Sequence, residues 1–250
     1  MTGLTEKIKN LLKTQPQQAV FTAHFLAKQG FSYLDLSRSE KNGWLKRFAN
    51  GAYTILERTL TLEGAIYALQ TENGKSIHIG GRSALESIYG MAQYASERPV
   101  QLFYSSKETL PGWFTGNFNG KISAFSTSML PSVSGLEQKS KAGLTLLYPS
   151  PERALLEMLY TVGKGVDATE AYEIMQEATS IKPAAMQMLL EKCTSVKVKR
   201  LSLCYAKLCG HQWYKKLNVS KVDLGSGARV IEKGGAFNKE FNLILPKELL

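Results

Sequence analysis

The residues that most constrain this chain run from 44 to 56, Trp-Leu-Lys-Arg-Phe-Ala-Asn-Gly-Ala-Tyr-Thr-Ile-Leu. Asn50-Gly51 supplies the left-handed backbone that a tight hairpin turn needs, and it separates two runs rich in β-branched and aromatic residues. The spacing predicts strands over 44–48 and 52–56, with Lys46 and Arg47 on the first. Three short helical segments precede this hairpin. Leu4, Ile8, Leu11 and Leu12 recur at helical spacing over about residues 4–14, and Pro16 ends that segment. Thr22 is placed to cap a second helix that turns Phe25 and Leu26 inward and closes at Gly30. Ser32 is placed to cap a third, Ser32 to Asn42, stopped by Gly43.

Three helices followed by a basic-tipped hairpin is the order of a winged helix-turn-helix. In that arrangement the third helix enters the major groove of duplex DNA and the hairpin tip meets the flanking backbone. Ser32, Tyr33, Ser37, Arg38 and Lys41 fit a groove-facing helix. Arg38 is the residue expected to read a base, because its planar fork matches a guanine edge. Lys41, Lys46, Arg47 and Asn50 are expected to hold phosphates. Phe31, Leu34, Leu36, Trp44, Leu45 and Phe48 are assigned to the small core.

Charge supports a polyanionic partner. The 250-residue chain carries a net charge of +10. Residues 1–60 hold nine Lys and Arg against four acids, and residues 181–221 hold nine against Glu191 alone. The second region (Lys192, Lys197, Lys199, Arg200, Lys207, Lys215 and Lys216 among its members) is expected to form a partner or nucleic-acid surface, unless it is a set of solvated lysines.

Beyond residue 58 the pattern becomes mixed. It predicts a helix over 61–70, a strand over 75–79, a helix from about Ser83, and strands at 100–104, 122–125 and 144–148. Ser150-Pro151-Glu152 is a strong helix start. Helices follow at about 167–179, 183–193 and 196–217, then a closing hairpin through Gly234-Gly235. The fold class is therefore α+β: a winged helix over 1–58, then a larger mixed domain over 59–250 with a helical C-terminal part.

The run FTAHFLAKQGFSYLDLSRSEKNGWLKRFANGAYTIL resembles the N-terminal segment of the AbiEi-type antitoxins, transcriptional regulators of type IV toxin–antitoxin systems. The likeness rests on Gly43-Trp44-Leu45, the basic Lys46-Arg47 and Gly51-Ala52-Tyr53. IHIGGRSALESIYGM and LLYPSPERALLEML are similar to later segments of the same family. The resemblance implies binding to inverted repeats in the chain's own promoter, and a C-terminal domain that neutralises a nucleotidyltransferase-like toxin. No cofactor is expected.

Catalytic patterns are weak. Gly225-Ser226-Gly227 lacks the carboxylates a two-metal nucleotidyltransferase needs. Cys204 and Cys209 do not share a helix face, so zinc with His211 is disfavoured and core thiols are expected. A phosphate site at Gly80-Gly81-Arg82-Ser83 is weighed against capping and packing, which is favoured, as it is for Arg153 and Glu152. The alternative function is thus a winged-helix protein whose larger domain is a nucleic-acid-processing or phosphate-handling enzyme. A third is a protein–protein adaptor. Trp113-Phe114 is expected to be buried in the sheet region rather than exposed to a partner. The odd number of late cysteines, and the lack of any signal-like or membrane-length apolar run, predict a cytoplasmic protein.

Overall fold

The computed structural model describes residues 3–91 and 98–250 and is a mixed α+β structure. It forms two compact units. Of the described residues, the first comprises 3–77, 107–120 and 138–147, and the second comprises 78–91, 98–106, 121–137 and 148–250.

The first unit opens with α1 (Leu4–Thr14), which buries Ile8 and Leu11. Strand β1 (Phe21–Thr22) leads into α2 (Ala23–Lys28), where the Thr22 hydroxyl accepts the Phe25 N–H as an N-cap. Helix α3 (Tyr33–Lys41) starts with a capping box: the Ser32 hydroxyl accepts from the Asp35 N–H, and the Asp35 carboxylate accepts from the Ser32 N–H. Strands β2 (Leu45–Ala49) and β3 (Ala52–Ile55) pair antiparallel through Asn50-Gly51, with Gly51 at φ 72°. The sheet order is β1-β3-β2, and the register shifts between Arg47 and Ala49, so Phe48 sits on a bulge. Phe21, Leu26, Phe31, Leu36, Leu45 and Tyr53 close one core with α1.

Helix α4 (Leu62–Thr71) is capped by Thr61. Gly64 is required there, because a Cβ would lie 2.0 Å from the Gln18 carbonyl oxygen. Just beyond α4, the Glu72 carboxylate accepts the Thr22 N–H at 3.0 Å. Burial pushes Glu72 up to about 7, against the opposing hydrogen bonds from Thr22. A raised carboxyl favours the folded state most below its unfolded value, and that contribution is lost as the pH rises through about 7. A Glu72→Gln chain keeps an acceptor for Thr22. It is expected to melt roughly 5 °C above the parent at pH 8 and level with it at pH 5. Equal melting temperatures at both pH values would contradict the assignment.

In the second unit, β4 (His78–Ile79), β5 (Val100–Ser105) and β6 (Ile122–Thr127) form a sheet in that order. Strands β5 and β6 run parallel. The strand expected over 75–79 is only two residues long. Helix α6 (Gly112–Asn117), which lies in the first unit, and strand β7 (Leu136–Lys141) were not foreseen; β7 pairs with β8 (Leu144–Pro149) in a two-stranded ribbon. Phe114 is fully buried on α6 rather than on a strand, and Trp113 is half-buried.

Helix α5 (Gly81–Ile88) packs on α7 (Pro151–Tyr160), whose residues 152–159 are all buried. Ser150 caps α7 by accepting from the Arg153 N–H, with Pro151 in the first turn. A buried charge network ties the two helices to the sheet. Glu157 Oε1 lies 2.8 Å from His78 Nε2 and accepts from Arg153 Nε at 2.7 Å. Burial alone would raise the Glu157 carboxyl, but His78 and Arg153 hold it below its ordinary range. Arg153 also donates to the carbonyls of Pro131 and Ser134.

Helices α8 (Ala168–Glu177), α9 (Pro183–Lys192) and α10 (Val196–Leu208) complete the helical part. The helix expected to reach 217 ends at Leu208, and short 3-10 turns follow at Tyr214–Lys216 and Val219–Lys221. The closing hairpin is also rearranged. Strands β10 (Ala236–Asn238) and β11 (Leu243–Leu245) pair antiparallel, and β9 (Arg229–Val230) pairs parallel to β11. Gly235 is therefore not the hairpin turn. It passes so near β11 that a Cβ would lie 2.0 Å from the Leu245 carbonyl oxygen. Among the described residues no helix is long and apolar enough to cross a membrane.

Candidate nucleic-acid interface

Helix α3 is two-faced. Leu36 and Ser39 are buried, and Ser39 donates to the Asp35 carbonyl. Tyr33, Leu34, Arg38, Glu40 and Lys41 are exposed, and Ser37 is half-buried between them. With about 100° between successive residues, Tyr33, Ser37, Lys41, Leu34 and Arg38 fall within an arc of roughly 140°. Leu34 corrects the sequence reading: it is 64% exposed and takes no part in the core. Phe31, Leu36 and Leu45 are buried as expected, while Trp44 and Phe48 are only half-buried.

Two acids lie on α3, and their placement matters for an anionic partner. Asp35 sits away from the exposed arc. Its carboxylate accepts from Lys7 at 2.8 Å and from the Ser32 N–H. The Lys7 hydrogen bond leads in lowering it to about 2, so it stays ionised and matched by a cation. Glu40 lies at the edge of the arc.

On the hairpin, Lys46, Arg47 and Asn50 are exposed, and Arg47 donates to Asn50 Oδ1 at 2.8 Å. That bond draws the guanidinium over the turn. Phe48 at the bulge meets the Trp113 ring edge-on at 6.0 Å, bracing the strand that carries Lys46 and Arg47. Sequence reasoning could not find this support, because the partner lies 65 positions away on α6.

Tyr53 links helix and hairpin. Burial raises its hydroxyl, and the group also feels the charges of Arg47, Glu40 and Tyr33. Arg47 stands opposite Tyr53 in the strand register. Among the described residues, Arg38, Lys41 and Lys46 have no acidic partner within ion-pair distance.

The second basic region is a different matter. Arg200 is 1% exposed and donates to the carbonyls of Leu224, Gly225, Gly227 and Asn242. Lys199 is also buried. Lys197 donates to the carbonyls of Tyr160 and Val162, and burial, helped by the charge of Lys164, lowers it to about 8. Lys207 is exposed but paired with Glu240. Of the seven, Lys192, Lys215 and Lys216 are exposed and show no such ties among the described residues. The reading of 192–216 as one cationic surface is corrected for the α10 residues Lys199 and Arg200, which are buried, and for Lys197 and Arg200, whose charged groups donate to backbone carbonyls.

The anion site weighed at Gly80–Ser83 is filled by the chain's own groups. The Gly81 N–H faces Glu157 Oε2 at 3.3 Å, and the Arg82 N–H donates to Gln101 Oε1 at 2.8 Å. A Cβ at Gly80 would meet Glu157 at 2.3 Å, so the glycines serve packing. Cys193 and Cys204 are buried, and burial pushes the Cys204 thiol up to about 12, as a core thiol requires.

Comparison with known proteins decides what these features belong to. Residues 97–246 match the family described as "Transcriptional regulator, AbiEi antitoxin, Type IV TA system", and residues 4–96 match the N-terminal domain of the AbiEi antitoxin regulators. The chain belongs to the AbiEi antitoxin family. The exposed α3 arc and the hairpin both fall within the part of this AbiEi-family chain that matches the N-terminal domain. Among solved structures, the crystal structure of the RV2827C protein from Mycobacterium tuberculosis is similar, with a TM-score of 0.63 and 12% identity. The match covers 97% of this chain and 91% of that one, and at such identity the likeness is one of fold. No curated protein matches the sequence.

Proposed function

We propose that residues 1–58 are a winged helix that binds duplex DNA at inverted repeats in the chain's own promoter and represses its operon. Residues 59–250 then neutralise a nucleotidyltransferase-like toxin. The observation that carries the first half is the α3 arc beside the hairpin, which presents Arg38, Lys41 and Lys46 in solvent without acidic partners among the described residues. Arg38 reads a guanine edge in the major groove. Lys41, Lys46, Arg47 and Asn50 grip phosphates, and Ser32 and Ser37 add hydroxyl contacts at the helix start and mid-face. Membership of an antitoxin family supports the second half, and no one cluster of side chains carries it.

An interface of this kind releases counterions, so affinity depends steeply on salt. If about six phosphates are neutralised, affinity for a promoter duplex is expected to fall roughly 10³-fold between 50 and 200 mM salt. Fluorescence anisotropy with a labelled duplex measures this. Affinity that is flat across the range would contradict the proposal and favour a protein-docking role for the same face.

A further inference from the structure

The apolar front of α3 has no use in a surface that only holds phosphates. Tyr33 is 80% exposed and Leu34 is 64% exposed, side by side in the first turn of the helix. Arg38 and Lys41 follow on the same arc one and two turns later. The first turn is held in place from both sides: the Ser32–Asp35 capping box fixes its backbone, and the Asp35–Lys7 pair at 2.8 Å ties it to α1. Tyr33 and Leu34 are therefore presented in a set position, which reduces the entropy lost on binding.

The major groove displays one apolar group to a side chain, the 5-methyl of thymine. Recognition helices aim their N-terminal residues at base edges, which is where Tyr33 and Leu34 stand. The exposed cations Arg38 and Lys41 on the same helix, with Lys46 and Arg47 on the hairpin strand, argue against burial beneath a second protein, since sealing charges without acidic partners into such an interface is costly. We infer that Tyr33 and Leu34 select operator sequence by packing against thymine methyl groups in the major groove. This rests on the duplex-DNA reading above.

The test uses the full chain and a duplex enriched by it from a random-sequence library, remade with uracil in place of thymine. Uracil removes the methyl and leaves the base-pairing edge unchanged. The parent chain is expected to bind the uracil duplex about fourfold more weakly for each methyl buried. Leu34→Ala is expected to narrow that gap, and Tyr33→Ala with Leu34→Ala to abolish it, while Leu34→Met keeps it. Both positions are exposed, so melting temperatures are expected to stay at the parent value, which separates the effect from misfolding. Equal affinity of the parent for both duplexes overturns the inference alone. So does a double variant that discriminates as strongly as the parent. Absence of any salt-dependent duplex binding overturns the DNA reading and this inference with it.

Discussion

Replacing Arg38 and Lys41 together by alanine is expected to abolish specific promoter binding and to leave toxin neutralisation intact. Both side chains are exposed on α3, and neither has an acidic partner among the described residues, so folding loses nothing when they are removed. A bidentate arginine–guanine contact contributes about 1–3 kcal/mol of discrimination, and a phosphate contact adds a salt-dependent share. Lost from both half-sites of an inverted repeat, the two are expected to lower affinity by roughly 10²-fold or more. Mobility shift with a promoter duplex measures the first activity, and growth rescue with the toxin co-expressed measures the second. A folded double variant that lost both activities would contradict the proposed division of labour near residue 58.

Arg200→Ala is expected to have the opposite profile, with a large loss of stability. Arg200 is enclosed, and its guanidinium satisfies four carbonyl oxygens from the segment 224–242. Each buried acceptor left without a partner costs about 1–3 kcal/mol, so the loss exceeds about 3 kcal/mol in total. For a chain of this size that corresponds to a melting temperature lower by roughly 6–12 °C. Calorimetry on the variant tests it. A melting temperature within a degree of the parent would mean that Arg200 is not the anchor of the C-terminal segment. Because Arg200 is hidden from solvent, its removal is not expected to alter the salt slope of DNA binding in the fraction that remains folded.

The two arginines show what could be read from the sequence and what could not. Arg38 lies on a short amphipathic helix with a capping residue, a stop glycine and a hairpin directly after it. Those signals are local, and they place α1, α2, α3, β2 and β3 within a residue or two. Arg200 lies on a helix whose neighbours come from 24 to 42 positions away, so its charge reads as a surface feature until tertiary contacts are seen. Leu34 illustrates a smaller failure of the same kind. Apolar character pointed inward, but the helical phase set by Leu36 and Ser39 turns it to solvent. Trp113 bracing Phe48, and Gly80-Gly81 serving Glu157 and Phe103 rather than an anion, are likewise long-range outcomes. The family resemblance carried further than the periodicity did, because its motifs lie in order along nearly the whole chain.

On the proposed reading, α3 and its hairpin, and not the second basic region, hold DNA. The slope of log affinity against log salt, measured on one promoter duplex for three chains, tests it most directly. Lys46→Ala is expected to make the slope shallower by about one for each half-site occupied, while Lys192→Ala, Lys215→Ala and Lys216→Ala combined leave it at the parent value. A slope untouched by Lys46→Ala and reduced by the triple change would contradict it.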